Sequence, residues 1–526
     1  MKLDRLNEYV LAAGVVLIGI VAAVMCGRFA GTGQNFWLWV LGAGIIYTVA
    51  CLTLRAKMWL LVPMFWACSG QLASAPGHLP LRDLVVGGVV VFFFTLKAFK
   101  VIRVKPVYGW LDMIMIVNVL YIIALYLRYP IGVNAFGSEM VGGRPYMDVI
   151  FAVGAYWVLN QVMMSPVQAK IFPVLLCIVG GLQALLSTVT YLFPATVPIL
   201  GKFYNGIDAE SYQREQDQDD SGGADEGDER AQYLLNVGPA IINLMTCYLQ
   251  PLTLINPMYI WRFTAMGLAT YFCLKSGHRI ALPSVAICVL LTAYFRKGFS
   301  AVIIMALIAF PFAVLLIAGQ GRLYSLPQTA QRALSFLPGD WDPDVINSAE
   351  DSTQWRLQMW DMMLHDDRYI HDKVFGDGFG FTREVLERMA TNRSQEDFML
   401  TNSPHSGPVS TIRVGGYVGL GLFLIFLISA AVKSWQLIVA TKGTPFYPAS
   451  LFTGVQTIYA AFGFVFIFGD FKNDILNMIL IVGLLNLYSR SFAAYKKNLE
   501  DAPPPALPKK AVQPFAPLPI PAPALH

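Results

Sequence analysis

Residues 298–318 read GFSAVIIMALIAFPFAVLLIA, a run without one charged side chain, preceded by Arg296-Lys297 and followed from Gln320 by a long polar segment. A run of this length can cross a hydrocarbon core of roughly 30 Å as a helix, the form in which a single segment satisfies its own backbone polar groups in lipid. Runs of the same kind recur near 9–27, 36–54, 58–75, 83–98, 110–127, 147–164, 171–193, 233–251, 257–274, 279–295, 409–432, 446–468 and 471–488. Together they make about fourteen candidate spans by the ~20-residue criterion, with 58–75 and 83–98 the weakest.

The composition agrees. Of 526 residues, 56% are hydrophobic and only 14% charged, and the mean hydropathy is +0.54, well beyond what a soluble core requires. The expected fold is therefore all-α: a polytopic membrane helix bundle of about 12–14 transmembrane helices with one large, partly helical outward loop. The first span has no small-residue cleavage site and is followed at once by another, which predicts a retained anchor.

Basic residues near helix ends resist translocation and set orientation. Lys2 and Arg5, Arg55 and Lys57, Lys97, Lys100, Arg103 and Lys105, Arg296 and Lys297, and Lys496 and Lys497 all fall on one side of the expected bundle. That side is assigned to the cytoplasm, together with both termini. The alternate loops, one of them acidic (Glu215, Asp217, Asp219, Asp220, Asp225, Glu226, Asp228, Glu229), face outward. The net charge of +4 is mostly this bias, so it gives no reason to expect a nucleic-acid partner.

Four regions follow. Residues 1–319 form membrane helices interrupted by the acidic loop near 195–232, 320–404 a large periplasmic loop, 405–490 the C-terminal membrane helices, and 491–526 a cytoplasmic proline-rich tail. The acidic stretch has almost no apolar residues and cannot build a core; the tail is expected to be extended. All seven cysteines lie in the apolar spans, so no disulfide framework or zinc spacing marks the outward loops.

Within the large loop, Pro338-Gly339-Asp340 and Asp342-Pro343-Asp344 have turn chemistry. Ser352 to Leu364 predicts a helix with an apolar stripe of Trp355, Met359, Met363 and, around its face, Trp360. It is expected to lie on the membrane surface or cap the bundle. His405, just outside the span that starts near Val409, is the natural proton acceptor at neutral pH, although an interfacial histidine can also be merely tolerated. Gly416 and Gly419 follow near the start of that span, where they would admit another helix or a lipid chain.

Arg279 and Arg356 are both placed on the outward face, and two guanidiniums beside a histidine suit an anion such as a diphosphate, which arginine holds bidentately. Each alone could be a snorkelling interfacial residue. Gly376-x-Gly378-x-Gly380 is read as a glycine turn rather than a phosphate loop, since no strand pattern precedes it. Asp342 and Asp344 flank a proline and are read as turn residues rather than a metal pair. His365, Asp366, Asp367 and His371 could ligate a divalent ion or form a solvated face. No metal and no cofactor is expected.

In this combination the chain resembles the O-antigen ligase and polymerase superfamily. The elements stand in the family order over about 275–420: Ser276 to Arg279 at an outer helix end, the basic turn Arg296-Lys297, and Gln331-Arg332-Ala333-Leu334-Ser335-Phe336-Leu337-Pro338-Gly339. Then come Arg356 with Trp360, Gly376-Asp377-Gly378-Phe379-Gly380, and His405-Ser406 with Gly416 and Gly419. The resemblance implies an inverting, metal-independent glycosyltransferase of the bacterial inner membrane. It would move a glycan from a polyprenyl-diphosphate donor to a sugar hydroxyl on a lipid or glycan acceptor at the periplasmic face. Arg279 and Arg356 would bind the diphosphate and His405 would take the hydroxyl proton, while Ser276, Gly376, Gly378, Ser406, Gly416 and Gly419 carry the structural motif. Membrane lipids and polysaccharide assembly proteins are the implied partners.

Ligation is the first reading; polymerisation of O-antigen, capsule or exopolysaccharide uses the same donor chemistry with another acceptor. A transporter of lipid-linked sugars would show internal repeats, broken helices and charges near the bilayer midplane. A noncatalytic export scaffold would suit the proline tail.

Overall fold

The computed structural model describes residues 35–68, 80–100, 106–130, 142–197, 234–254, 256–380, 399, 404–466 and 469–501. The first expected span (9–27), the acidic stretch Asp208 to Arg230 and the proline-rich tail lie outside the described residues.

The protein is an all-α, polytopic membrane helix bundle, and no strand occurs among the described residues. Its helices are α1 (Asn35–Leu54), α2 (Leu61–Trp66), α3 (Leu81–Ala98), α4 (Trp110–Arg128), α5 (Arg144–Leu159), α6 (Pro166–Leu192), α7 (Val237–Tyr248), α8 (Ile260–Lys275), α9 (Ala281–Lys297), α10 (Phe299–Gly319), α11 (Gln328–Leu334), α12 (Pro343–His365), α13 (Gly407–Thr441), α14 (Tyr447–Phe466) and α15 (Phe471–Glu500). Six of them, α4, α6, α10, α13, α14 and α15, are each long and apolar enough to cross a membrane. The expected span 58–75 is not one helix: a 3-10 segment, Arg55–Leu60, runs into α2, which ends at Trp66. The other expected spans from residue 36 onward coincide with helices.

Helix packing in lipid relies on close fit and polar ties rather than hydrophobic driving force. The main core joins α3, α4, α5, α13 and α15 through residues such as Phe93, Met115, Ala155, Phe423 and Leu485. Asp112 of α4 ties two neighbours, accepting from Tyr156 Oη of α5 at 2.7 Å and from Asn486 Nδ2 of α15 at 2.6 Å. A second cluster joins α7, α8, α9 and α10. Twelve-residue α7 is only about 18 Å long. It stops where Leu249 turns extended ahead of Pro251. Arg296, read from the sequence as a topology marker and as part of the basic turn, donates to the Thr246 carbonyl at 3.0 Å and to the Cys247 carbonyl there, filling acceptors that the helix end leaves open.

Buried charges gather at one end of the bundle, where α3, α5 and α15 begin. Lys472 Nζ lies 2.8 Å from Asp148 Oδ2, and Arg82 bridges Asp83 at 2.8 Å and Asp148 at 3.7 Å. The sequence gives little hint of this network, because its members are far apart in the chain and each stands at the margin of an apolar run.

The site-bearing feature is a break inside α13. Gly416 adopts φ 64°, ψ −171°, a region that essentially only glycine occupies, and divides α13 into 407–415 and a long membrane portion. A break of this kind orphans amides and carbonyls. Here the loop around Gly376 replaces the missing partners: Asp377 N donates to Arg413 O (2.9 Å) and Gly378 N to Val414 O (2.9 Å), while Tyr417 N and Val418 N donate to Lys373 O (2.9 Å) and Val374 O (3.1 Å). Tyr121 of α4 seals the junction, its hydroxyl reaching Gly415 O at 2.7 Å and Phe375 O at 2.9 Å. Arg128, also on α4, holds Asp372 at 2.7 Å.

This corrects the expected use of Gly416, which admits loop backbone and not a helix or lipid chain, whereas Gly419 does admit a neighbouring helix, lying against the Tyr121 ring of α4. Gly376 and Gly378 form the expected turn, both with positive φ (81° and 70°). A broken helix, a trait expected of a transporter, is also present, although loop backbone fills the break.

The helix expected at Ser352 to Leu364 begins earlier, at Pro343. Asp342-Pro343-Asp344 is its start rather than a free turn: Asp342 Oδ1 accepts from Asp344 N at 2.9 Å, and proline suits the first helical position. The apolar stripe caps the bundle, with Met359 and Met363 buried against Val409 and Ile412 of α13.

A Cβ at Gly416 would overlap the Val374 carbonyl, whereas one at helical Gly421 meets nothing within 4 Å. Gly416→Ala is expected to lower the unfolding temperature of the purified protein in detergent, with backbone strain alone costing about 1–3 kcal/mol. Gly421→Ala should leave it unchanged or raise it, because alanine is favoured by about 1 kcal/mol in a helix. Equal effects of the two substitutions would remove the special role of the break.

Candidate functional site

Each of the three chemistry-bearing residues is delivered by a different local device. Arg279 stands in the turn between α8 and α9. That turn is made by Ser276, whose buried hydroxyl donates to Cys273 O at 2.7 Å, and by Gly277, whose φ of 66° gives α8 a glycine stop. The Ser276-Gly277 pair therefore serves geometry, and Arg279 is what it presents.

Arg356 is carried by α12, which is held in place from both ends. At its start, Gln331 of α11 accepts from Asp342 N at 2.9 Å and donates to Leu326 O at 2.8 Å. At its end the chain passes into the loop that fills the α13 break. Of the resembling stretch in α11, Gln331 thus has a scaffolding part. α11 packs on α8 and α12 on α13, so the loop helices bridge the Arg279 turn and the start of α13.

His405 has φ 53°, a left-handed conformation uncommon for a residue with a side chain. The strain is held by α12: Trp360 Nε1 donates to Pro404 O at 2.6 Å. The Trp355 ring lies 6.4 Å from the imidazole, centroid to centroid, at 44°. Ser406 is the N-cap residue of α13, but its side chain makes no capping hydrogen bond.

The structure brings these residues to one place. Burial, then the positive charge of Arg356, lowers the His405 pKa from its ordinary value of 6.5. The same two causes, in the same order, lower that of Arg279. Arg356 therefore lies near both, and all three groups are half-buried. The Arg356 Nε is buried with no hydrogen-bond partner among the described residues. A guanidinium is a cation at neutral pH, and the lowered pKa of His405 favours its neutral imidazole. Two half-buried guanidiniums near enough for one charge to act on the other, without carboxylate ion pairs among the described residues, suit an anion.

Other candidates from the sequence do not join this group. His371 lies 3.4 Å from Asp377, Asp366 pairs with Arg368 at 2.5 Å, and Asp367 pairs with Lys373 at 2.8 Å. His365 lies beside Asp361 at 2.9 Å. No three of the described His, Cys, Asp or Glu side chains gather as metal ligands would. Tyr121, Arg128 and Arg413 have no motif around them in the sequence and gain meaning only through the loop they meet.

No model of a known protein family matches the chain, and no curated protein matches it.

Removing the Arg356 charge should make His405 easier to protonate. With the other histidines replaced, Arg356→Gln is expected to shift the pH midpoint for diethyl pyrocarbonate modification of His405 upward, toward 6.5, because only the neutral imidazole reacts. An unchanged midpoint would show that Arg356 does not act on His405.

Proposed function

We propose that this protein is a glycosyltransferase of the O-antigen ligase and polymerase type. It moves a glycan from a polyprenyl-diphosphate donor to an acceptor sugar hydroxyl at the outward face of the bacterial inner membrane, with both termini in the cytoplasm. The observation that carries the reading is the convergence of two half-buried guanidiniums from separate elements beside a histidine kept neutral at physiological pH.

The chemistry follows from the arrangement. The acceptor oxygen attacks the anomeric carbon of the donor sugar and its proton passes to the neutral imidazole of His405. As the new C–O bond forms, the bond from that carbon to the diphosphate oxygen breaks, and its electron pair leaves with polyprenyl diphosphate. Negative charge grows on that leaving group, so Arg279 and Arg356 bind the transition state more tightly than the ground state. Displacement from the opposite face inverts the anomeric centre. Holding His405 in a left-handed backbone under Trp355 and Trp360 fixes the base before substrate arrives.

Ligation and polymerisation share these steps and differ in the acceptor. The ends of the bundle are assigned by the basic loops, since Arg296 and Lys297 close α9 at the end away from Arg279.

The test is transfer by the purified protein in vesicles supplied with a polyprenyl-diphosphate-linked glycan and an acceptor. Arg279→Ala and Arg356→Ala are each expected to lower kcat by about 10²–10³, the scale for losing one charge-stabilising donor. His405→Ala should lower it by about 10²–10⁴, with membrane insertion unchanged. In the wild type, kcat/KM should hold from pH 8 down through 6.5 and fall only below, since activity needs the neutral imidazole and its pKa is depressed. Movement of the lipid-linked glycan across the vesicle without a new glycosidic bond would replace this reading with transport.

A further inference from the structure

Residues 231–339 carry seven Lys and Arg side chains and not one Asp or Glu. Helices α7 to α10 are built from this stretch, so a counter-charge for its cations must come from another part of the chain or from a ligand. Arg296 is used at the end of α7, and Arg279 belongs to the site described above. Arg262, half-buried in the first turn of α8, has neither role. Its guanidinium lies 4.5 Å from the centre of the Tyr259 ring and 5.2 Å from that of Trp261, and its Nε is buried with no hydrogen-bond partner among the described residues. An arginine that merely snorkels keeps its head group hydrated, whereas this Nε is out of contact with solvent.

Its position narrows what could complete it. Sixteen-residue α8 is about 24 Å long and separates Arg262 from the turn that carries Arg279. Arg262 thus stands at the opposite end of the bundle, where α9 ends with Arg296 and Lys297. Met258, Ile260, Trp261 and Phe263 are exposed around it, and a Tyr and a Trp at the start of a membrane helix sit at headgroup depth. A guanidinium backed by aromatic rings keeps its in-plane N–H edge for two oxygens. In the first turn of a helix the dipole disfavours a cation, and an anion bound to Arg262 offsets this as well.

We propose that Arg262, backed by Tyr259 and Trp261, is a headgroup site for the phosphate of an anionic phospholipid whose acyl chains lie along the apolar rim at the start of α8. The rim decides for a lipid over a soluble phosphate, because Met258, Ile260 and Phe263 offer nothing to a hydrated ion. The site does not depend on sugar transfer being the reaction.

Native mass spectrometry of the full-length protein, released from nanodiscs of phosphatidylglycerol and phosphatidylcholine in equal parts, counts the lipids it retains. The wild type is expected to keep phosphatidylglycerol in preference. Arg262→Gln should lower that preference by about fivefold or more, the equivalent of about 1 kcal/mol for one basic residue at an anionic surface, and Arg262→Lys should lower it less. Lys297→Gln removes the same charge from an exposed side chain at the same end and should change little. In the wild type, phosphatidylglycerol discs should slow phenylglyoxal labelling of Arg262 relative to phosphatidylcholine discs, read by peptide mass spectrometry, a result that does not depend on any variant folding. No preference in the wild type, or no slowing of labelling, would overturn the proposal. So would equal losses from Arg262→Gln and Lys297→Gln, which make the attraction a property of the basic surface as a whole. Equal protection by inorganic phosphate added to phosphatidylcholine discs would overturn it in favour of a soluble phosphate ligand.

Discussion

The interruption of α13 at Gly416, with loop backbone spliced into the gap, is the constraint from which the site follows. A helix broken at the edge of a membrane must find partners for the amides and carbonyls it frees, and in an apolar setting water cannot supply them. Residues 373–378 do so on both sides of the break. The same splice fixes the far end of the loop that carries α12, while Tyr121 and Arg128 of α4 fasten the loop from a third direction. Arg356 and His405, forty-nine residues apart in the chain, are thereby referred to one frame.

Two kinds of buried charge coexist at this end of the bundle, and they have opposite consequences. Lys472, Asp148, Arg82 and Asp83 neutralise one another across three helix starts; such a network fixes how helices meet. Arg279 and Arg356 are like charges brought near each other, an arrangement that resists assembly and rewards an anion that enters between them. On the proposed reading, that anion is the diphosphate whose charge grows during reaction. Trp355 and Trp360 explain how the strained His405 tolerates its position, because α12 grips the chain just before α13 begins.

Much of this was legible in the sequence, and the failures have identifiable causes. Apolar runs located the helices because a membrane span needs a continuous stretch of suitable length. Glycine spacing located the turn at Gly376 and the irregularity at Gly416, but spacing cannot tell whether a helix, a lipid or a loop will fill the space a glycine leaves. Asp342-Pro343-Asp344 has the residues of both a turn and a helix start; the accepting carboxylate and the downstream packing of Met359 and Met363 resolve it as the latter. Span 58–75 failed because apolar composition alone does not require one uninterrupted helix.

The chain by itself determined the class of fold, the sidedness pattern of its basic loops, and the identity of the residues able to bind an anion or accept a proton, since these depend on composition and local chemistry. Only the tertiary structure decided that Arg356 lies near both Arg279 and His405, that the Gly376 loop completes a broken helix, and that Arg413 is buried with its Nε and Nη1 unmet among the described residues. These are contacts between segments far apart in the chain. Their existence depends on which backbone groups remain unsatisfied once the helices have packed, a quantity that no single stretch of sequence contains.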